Sequence, residues 1–334
     1  MNDDYQSIFE KCLQGGTPEY EEAVELLKLD VKSPEFYALC QTANQISHEQ
    51  FDGKGDVCAQ IGLDYDTCSF DCGFCSFSDE ADLLDAKMTW KPKKVVKVAN
   101  EMIEAGANAV FLMTTGQYPF EQLVEIGKKV KDKMVKDIPM IANTRDFSYN
   151  EAQKLKEAGF NGVYHALRLR EGTDSDIPKE RRIKTIENAK KAGLLVQVCL
   201  EPVGPEHTPE ELADQMFWAK ETGVRFNGAM HRTIVPGTPL YEKGQISHLE
   251  LAKSVAVSRL VAADEVDAHC THEPHELALI SGANLLWAEA GTNPRELVTE
   301  TRKSRGQSVK KCQEILINSG YELREGASPA CISK

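Results

Sequence analysis

The chain has 334 residues, 41% of them hydrophobic and 27% charged, which is enough apolar material for one large core. With 39 basic against 52 acidic residues the net charge is −13, which argues against general binding to nucleic acid or to an anionic membrane, and no stretch approaches the roughly eighteen apolar residues that span a bilayer. Ten cysteines behind the acidic start Met1-Asn2-Asp3-Asp4, where a secretory leader would be basic, read as reduced thiols of a cytoplasmic protein rather than as a disulfide scaffold.

The first fifty residues read as helices. Asp4 caps a first helix that stops at Gly15-Gly16; Thr17-Pro18-Glu19 opens a second and Ser33-Pro34-Glu35 a third, with proline at the first helical position. In the third, Phe36, Leu39, Cys40 and Ala43 share one stripe, so Cys12 and Cys40 on such apolar faces read as small buried hydrophobes and not as ligands. This segment, residues 1–54, is a helical extension expected to pack on the following domain as a plug or lid.

The strand-like run Asp56–Leu63 leads straight into Cys68-Ser69-Phe70-Asp71-Cys72-Gly73-Phe74-Cys75. Three thiols on one short loop make a metal site, and no fourth Cys or His lies within the loop to close a tetrahedral zinc. A redox motif, or a zinc completed by Cys58 or a distant His, is the competing reading.

From residue 56 a unit repeats: an apolar run, a polar loop, then an amphipathic helix that ends in glycine, as in Glu104-Ala105-Gly106, Glu157-Ala158-Gly159, Lys191-Ala192-Gly193, Glu221-Thr222-Gly223 and Ser281-Gly282. The runs are Asp56–Leu63, Ala109–Thr114, Pro139–Asn143, Gly162–Leu167, Leu195–Leu200, Asn227–Thr233, Val266–Cys270 and Leu285–Ala288. Eight parallel strands with crossover helices predict an α/β fold of the (βα)8, TIM-type barrel class over residues 55–334, closed by a C-terminal helix carrying Val309, Cys312 and Leu316, and a short mobile tail. The cysteine loop then sits at the end of the barrel where active sites are built, and Cys331 in the tail is free to fold over that mouth.

The cysteine spacing, with Phe74 before the last cysteine, resembles the radical S-adenosylmethionine (SAM) superfamily. That resemblance implies a [4Fe–4S] cluster held by Cys68, Cys72 and Cys75, whose open iron takes SAM and whose electron cleaves it to methionine and a 5′-deoxyadenosyl radical. Met113-Thr114-Thr115-Gly116-Gln117 is similar to the small turn that contacts the methionine part of SAM, with Thr115-Gly116-Gln117 standing where members often have Gly-Gly-Glu. Asn143 ends strand three at the same mouth. His165-Ala166-Leu167-Arg168-Leu169-Arg170-Glu171-Gly172 resembles the fourth strand of the iron-hydrogenase maturation enzyme, which implies that Arg168 or Arg170 pairs with the SAM carboxylate and Glu171 with its ribose or ammonium; a surface ion-pair cluster is the alternative. Val203 and Gly204 resemble the turn beside the adenine.

Pro236-Gly237-Thr238-Pro239-Leu240 and Gly282-Ala283-Asn284 resemble stretches of biotin synthase, so the likeness over residues 55–295 is to the biotin-synthase-like branch. Of the neighbours His231 and Arg232, alternation along a strand allows one to face the barrel, and Arg232 is taken as the catalytic one. His272 and His275 either join the mouth or open a solvated helix. Cys199 matches a biotin-synthase cysteine that holds a second, sulfur-donating iron–sulfur cluster, and Cys270 lies near that enzyme's arginine ligand, although Met113, Thr114 and Asn143 stand where further cysteines would be needed. The branch implies hydrogen abstraction from a small-molecule or carrier-bound acyl substrate, with sulfur insertion expected here and ferredoxin or flavodoxin as electron donor. A lyase or mutase with the SAM cluster alone, and a non-catalytic cluster scaffold, are the alternatives.

Overall fold

The eight apolar runs form eight parallel strands in the computed structural model, which describes residues 3–273 and 275–333. Strand one (Lys54–Gly62) is buried from Gly55 onward and pairs on one side with strand two (Ala109–Met113) and on the other with strand eight (Leu285–Gly291). Strands three (Met140–Asn143) and four (Gly162–Tyr164) extend the sheet one way, and strands seven (His269–Thr271) and six (Asn227–His231) the other. Strand five is split: Leu195–Gln197 pairs with strand four and Leu200–Val203 with strand six, with a bridge from Gln197 to Phe226 at the break. Both ends of the sheet are therefore consecutive pieces of one strand, and the expected barrel closes. Burial on both faces explains why these strands read as continuous Val, Ile, Ala and Leu runs without alternation.

The connecting helices begin at side-chain caps. Ser148 and Thr208 each accept from the backbone N–H three residues on, with Glu151 and Glu211 reaching back in reciprocal capping boxes. Gly223 ends the helix Pro209–Thr222 in the left-handed region, at φ +68°, where a side chain would be strained.

At the N-terminus three helices form, Asp3–Leu13, Tyr20–Leu27 and Pro34–Gln50. Ser33 caps the third, as expected. Asp4 instead lies inside the first turn, and Glu19 rather than Thr17 caps the second, because Glu19 and Glu22 satisfy each other's backbone N–H groups. The segment lies along the outside of the barrel. Ser47 Oγ donates to the carbonyl of Gly282 (2.8 Å), Gln50 to that of Val266 (2.7 Å), and Lys253 Nζ to that of Leu29 (2.8 Å). The contacts of Ser47 and Gln50 lie where strands eight and seven begin, and among the described residues none from this segment lines the cavity at the opposite end. The extension is thus neither plug nor lid at the mouth.

The plug is the C-terminal tail, whose residues up to Cys331 pack at the strand starts and not at the mouth. After the helix Val309–Asn318, residues Glu322–Leu323 pair beside the start of strand one, and Ser328, Ala330 and Cys331 are completely buried. Asn108 donates to the carbonyls of Arg324 (2.9 Å) and Gly326 (2.7 Å), Gln197 to that of Ala330 (3.1 Å), and the Asp56 carboxylate accepts from Arg324 and Ser328. Buried polar groups at the strand starts find their partners in the tail, which closes the barrel floor.

Removing one side of the buried Asp56–Arg324 pair leaves the other uncompensated, so Asp56→Ala should lower unfolding free energy by about 3 kcal/mol. Urea denaturation followed by circular dichroism checks this; a midpoint equal to that of the unsubstituted protein would show that the tail does not hold the floor.

Candidate active site

Trp287 fills the barrel axis. Phe111 packs edge-on against it with ring centres 4.5 Å apart, Tyr164 and Phe226 each lie 5.9 Å away, and His272 stacks on it at 5.2 Å. Tyr164 and His272 also line a cavity of about 1230 Å³, measured out to its open mouth, at the ends of the strands.

The cysteine loop forms one wall of this cavity. It leaves through Asp64–Tyr65 and returns at Met88–Thr89, which pair antiparallel and fix its base. Asp71, at φ +42°, folds its carboxylate inward to accept from Ser78 Oγ (2.7 Å) and Glu80 N (2.9 Å). Gly73 is held on both sides, donating to the carbonyl of Asp174 and accepting from Leu240 N, both at 2.8 Å; the Gly237–Leu240 stretch is thus a clamp on the loop. Across from it, a Cβ on Gly116 would lie 2.6 Å from the Phe70 ring and 3.0 Å from Cys68 Sγ, so the turn after strand two needs glycine to approach this closely.

Cys68, Cys72 and Cys75 all face the cavity. Among the described residues, the only three Cys, His, Asp or Glu ligand atoms gathered within 4.8 Å of one another belong to Asp174, Glu206 and His207. The three thiols are thus not all within that distance of one another, whereas a single zinc with bonds of about 2.3 Å would draw its sulfurs together. Such an arrangement suits a cluster that offers each thiol an iron of its own. Burial pushes the Cys72 thiol up to about 11 and Cys75 higher still, with the Arg168 charge opposing the shift at both.

Arg168 sits between carboxylates, its Nε 3.3 Å from Glu201 and its Nη1 3.8 Å from Glu171, with the Phe74 ring 5.9 Å away. Glu171 also accepts from Ser175 (2.6 Å) and Arg182 (3.3 Å), and Arg182 donates to Asp146 (3.4 Å). Burial raises the Asp146 carboxyl, but His165, Arg182 and Thr185 outweigh it and hold the group well below the usual range. Burial and the Arg182 charge bring His165 down to about 4 against the pull of Asp146, so it is neutral at pH 7. Of the charged stretch on strand four, Glu171 is buried and Arg168 half-buried at the cavity, while Arg170 pairs with Glu211 nearer the surface.

Of the residues expected at the site, Phe74, Thr115, Gly116, Asn143, Arg168 and Arg232 line the cavity with the three cysteines. Arg170 does not. At φ +54° it turns outward, Nε to Glu211 (2.7 Å) and Nη2 to the carbonyl of Glu206 (2.9 Å). Gln117 is exposed beyond the turn, Glu171 stands behind Arg168, and Val203 and Gly204 lie off the cavity, Gly204 packed on the Arg232 guanidinium. The alternation expected for His231 and Arg232 fails because strand six ends at His231, so both face the cavity. Arg232 is not free for chemistry, being bidentate on Glu206 (2.5 and 2.8 Å) and donating to the carbonyl of Gly244. His272 joins the cavity, whereas His275 begins a short helix and stacks on His248. Cys199 and Cys270 lie against each other in the core and are absent from the cavity wall.

Sequence reasoning passed over Asp64, Tyr164, Arg182, Glu201 and Arg295, all of which line the cavity. Asp64, Glu201 and Arg295 follow strand ends, which was the available signal. Arg182 sits on a helix and gave none.

The barrel mouth carries three thiols beside the half-buried Arg168, and the profile of the Radical SAM superfamily matches residues 64–219. The chain is 25% identical over 330 residues to the biotin synthase of Clostridioides difficile (strain 630), covering 94% of this chain and 97% of that one. To the biotin synthase of Desulforudis audaxviator (strain MP104C) it is 27% identical over 323 residues, covering 88% and 95%. Its fold matches the FeFe-hydrogenase maturase HydG from Carboxydothermus hydrogenoformans (17% identity, TM-score 0.78, 97% of this chain and 80% of that one) and methylornithine synthase, PylB (17%, 0.79, 95% and 97%). Residues 64–219 thus match the Radical SAM superfamily, and the chain is similar over most of its length to biotin synthases. This likeness implies a [4Fe–4S] cluster and SAM, and the three thiols facing an open cavity fit them.

Ligand thiols must lose their protons to bind iron. With their pKa values raised, iron uptake by the apoprotein should strengthen as pH rises from about 6.5 to 8.5, read by anaerobic titration; uptake independent of pH would contradict the burial of these thiols. Gly116→Ala should reduce the iron bound at any one pH.

Proposed function

We propose that this chain is a radical SAM enzyme with a single iron–sulfur cluster, which abstracts hydrogen from a carbon of a small-molecule substrate without an internal sulfur donor. The contact between Cys199 and Cys270 carries this reading. Strand six lies between the strands of the two cysteines, yet the two thiols meet in packed core. A second cluster would need its ligands spread around an iron–sulfur core that reaches the substrate, and would have to force these strands apart. Burial, reinforced by the neighbouring thiol, holds Cys270 in its protonated form.

When bound, the cluster supplies the electron that cleaves SAM to methionine and the 5′-deoxyadenosyl radical. We assign Arg168 to the SAM carboxylate: its position is fixed by Glu201 and Glu171, and it borders the cysteine loop. Asn143 and the Thr115-Gly116 turn, which Asp64 anchors through Thr115 N (2.9 Å), suit the polar end of the methionine part. Phe70, Phe74 and Phe77 shield the loop from water. A reducing cytosolic setting, with ferredoxin or flavodoxin as donor, belongs to the same proposal. Sulfur insertion, on a small molecule or a carrier-bound acyl chain, is the second reading, favoured by the biotin synthase relatives. A non-catalytic scaffold would have no use for so large a lined cavity.

Iron analysis after anaerobic reconstitution separates the first two readings. About four irons per chain, unchanged in Cys199→Ser, supports the proposal, and about eight, falling to about four in that variant, hands the case to sulfur insertion. With dithionite and SAM, 5′-deoxyadenosine should form and should vanish in Cys68→Ala, Cys72→Ala or Cys75→Ala; an intact cluster that yields none leaves the scaffold.

Arg168→Gln, by leaving the SAM carboxylate unpaired, should weaken SAM binding by about 2 kcal/mol or more. Arg170→Gln should leave it unchanged. Equilibrium dialysis with labelled SAM decides between the two arginines.

A further inference from the structure

Two of the three loop thiols receive backbone donors. Burial pushes the Cys68 thiol up, and hydrogen bonds from the N–H groups of Phe70 and Gly116 oppose the shift. At Cys75 the N–H of Phe77 reaches Sγ at 3.4 Å. Phe70 and Phe77 lie two residues from the thiol they serve and travel with the cysteine loop. Gly116 does not. It belongs to the turn after strand two, and its backbone stands so close to Cys68 Sγ that an added Cβ would lie 3.0 Å from the sulfur. Something outside the loop has to hold that turn against Cys68.

The holder is Asp64. Its Oδ1 accepts from Thr115 N (2.9 Å) and its Oδ2 from Thr115 Oγ1, so both oxygens grip the residue that precedes Gly116. Asp64 is itself fixed. It is 2% exposed, its carbonyl accepts from Thr292 Oγ1 (2.6 Å) just past strand eight, and it pairs with Thr89 at the base of the cysteine loop. The ends of strands one, two and eight are therefore tied together at this one residue, and its side chain decides where the Gly116 N–H points.

We propose that Asp64 is a positioning residue that sets the reduction potential of the cluster, by holding the Gly116 N–H on the Cys68 sulfur. A reduced cluster carries one more negative charge than an oxidised one, so a donor on a ligand sulfur favours the reduced form and raises the potential. A peptide N–H on a turn already fixed by the protein does this without reorganising. The negative charge of Asp64 acts in the opposite sense, against the reduced form. Positioning and charge are thus separable by experiment. The inference rests on the proposed function in taking Cys68 as a cluster ligand.

Asp64→Asn and Asp64→Ala both remove the charge, but asparagine keeps an oxygen for Thr115 N and a polar partner for Thr115 Oγ1, whereas alanine keeps neither. Each reconstituted variant is titrated anaerobically without SAM, and the reduced cluster is read by electron paramagnetic resonance against applied potential. At the potential where the Asp64→Asn cluster is half reduced, the ratio of reduced to oxidised cluster in Asp64→Ala should be lower by about threefold or more, which is about 28 mV for one electron. Equal ratios, or a higher one in Asp64→Ala, overturn the proposal. Iron analysis of the same samples shows whether each variant has loaded. Should Asp64→Ala fail to load, Thr115→Val takes its place against the unsubstituted protein, because it keeps the charge and loses the hydroxyl bond; its ratio should fall, and an unchanged ratio overturns the proposal. The titration needs neither SAM nor turnover, so a loaded protein that makes no 5′-deoxyadenosine would count against the proposed function and leave this comparison standing.

Discussion

A guanidinium taken largely out of water must be answered on all sides, and Arg168 is where this chain meets that demand. Its partners come from different parts of the chain, Glu201 from strand five and Glu171 from the loop after strand four, while Arg182, Asp146 and His165 extend the network to the helix Lys179–Lys191 and the end of strand three. Breaking a buried pair by removing one partner typically costs about 3–5 kcal/mol. That penalty keeps one wall of the cavity in place before any ligand arrives, which is the condition for electrostatic preorganisation.

The two ends of the barrel divide the labour. At the mouth, strands deliver short polar turns, and the cysteine loop is held by backbone bonds to Asp174 and Leu240 and by close packing on Gly116. At the floor, the tail satisfies Asp56, Asn108 and Gln197 and adds nothing to the cavity. Chemistry at the strand C-terminal ends with stability at the other is what a barrel of this kind permits.

Burial raises the thiols of the cysteine loop and that of Cys270 alike, so acidity alone does not distinguish ligand from core residue. Separation and access do. Cys68, Cys72 and Cys75 are spread along a loop that borders open space, while Cys199 and Cys270 meet in a region with none.

The sequence by itself determined the eight strands, the helix stops and the three-cysteine loop, because each depends on neighbours a few residues away: apolar runs, glycines at positive φ, and thiols on one turn. Thr115, Gly116 and Asn143 were legible for the same reason, as residues at strand ends. What only the tertiary structure decided was direction. Arg168 and Arg170 are two residues apart and equally suited to a carboxylate, but one faces the cavity and the other is drawn outward by Glu211 and the carbonyl of Glu206, 41 and 36 residues away. The tail was short and polar enough to read as mobile until Asp56 and Asn108, more than two hundred residues earlier, were seen to claim it. Cys199 and Cys270, 71 residues apart on strands five and seven, became a contact only because the barrel brings those strands together. Such outcomes are set by which distant groups compete for the same donors and the same space, and local sequence carries no record of that competition.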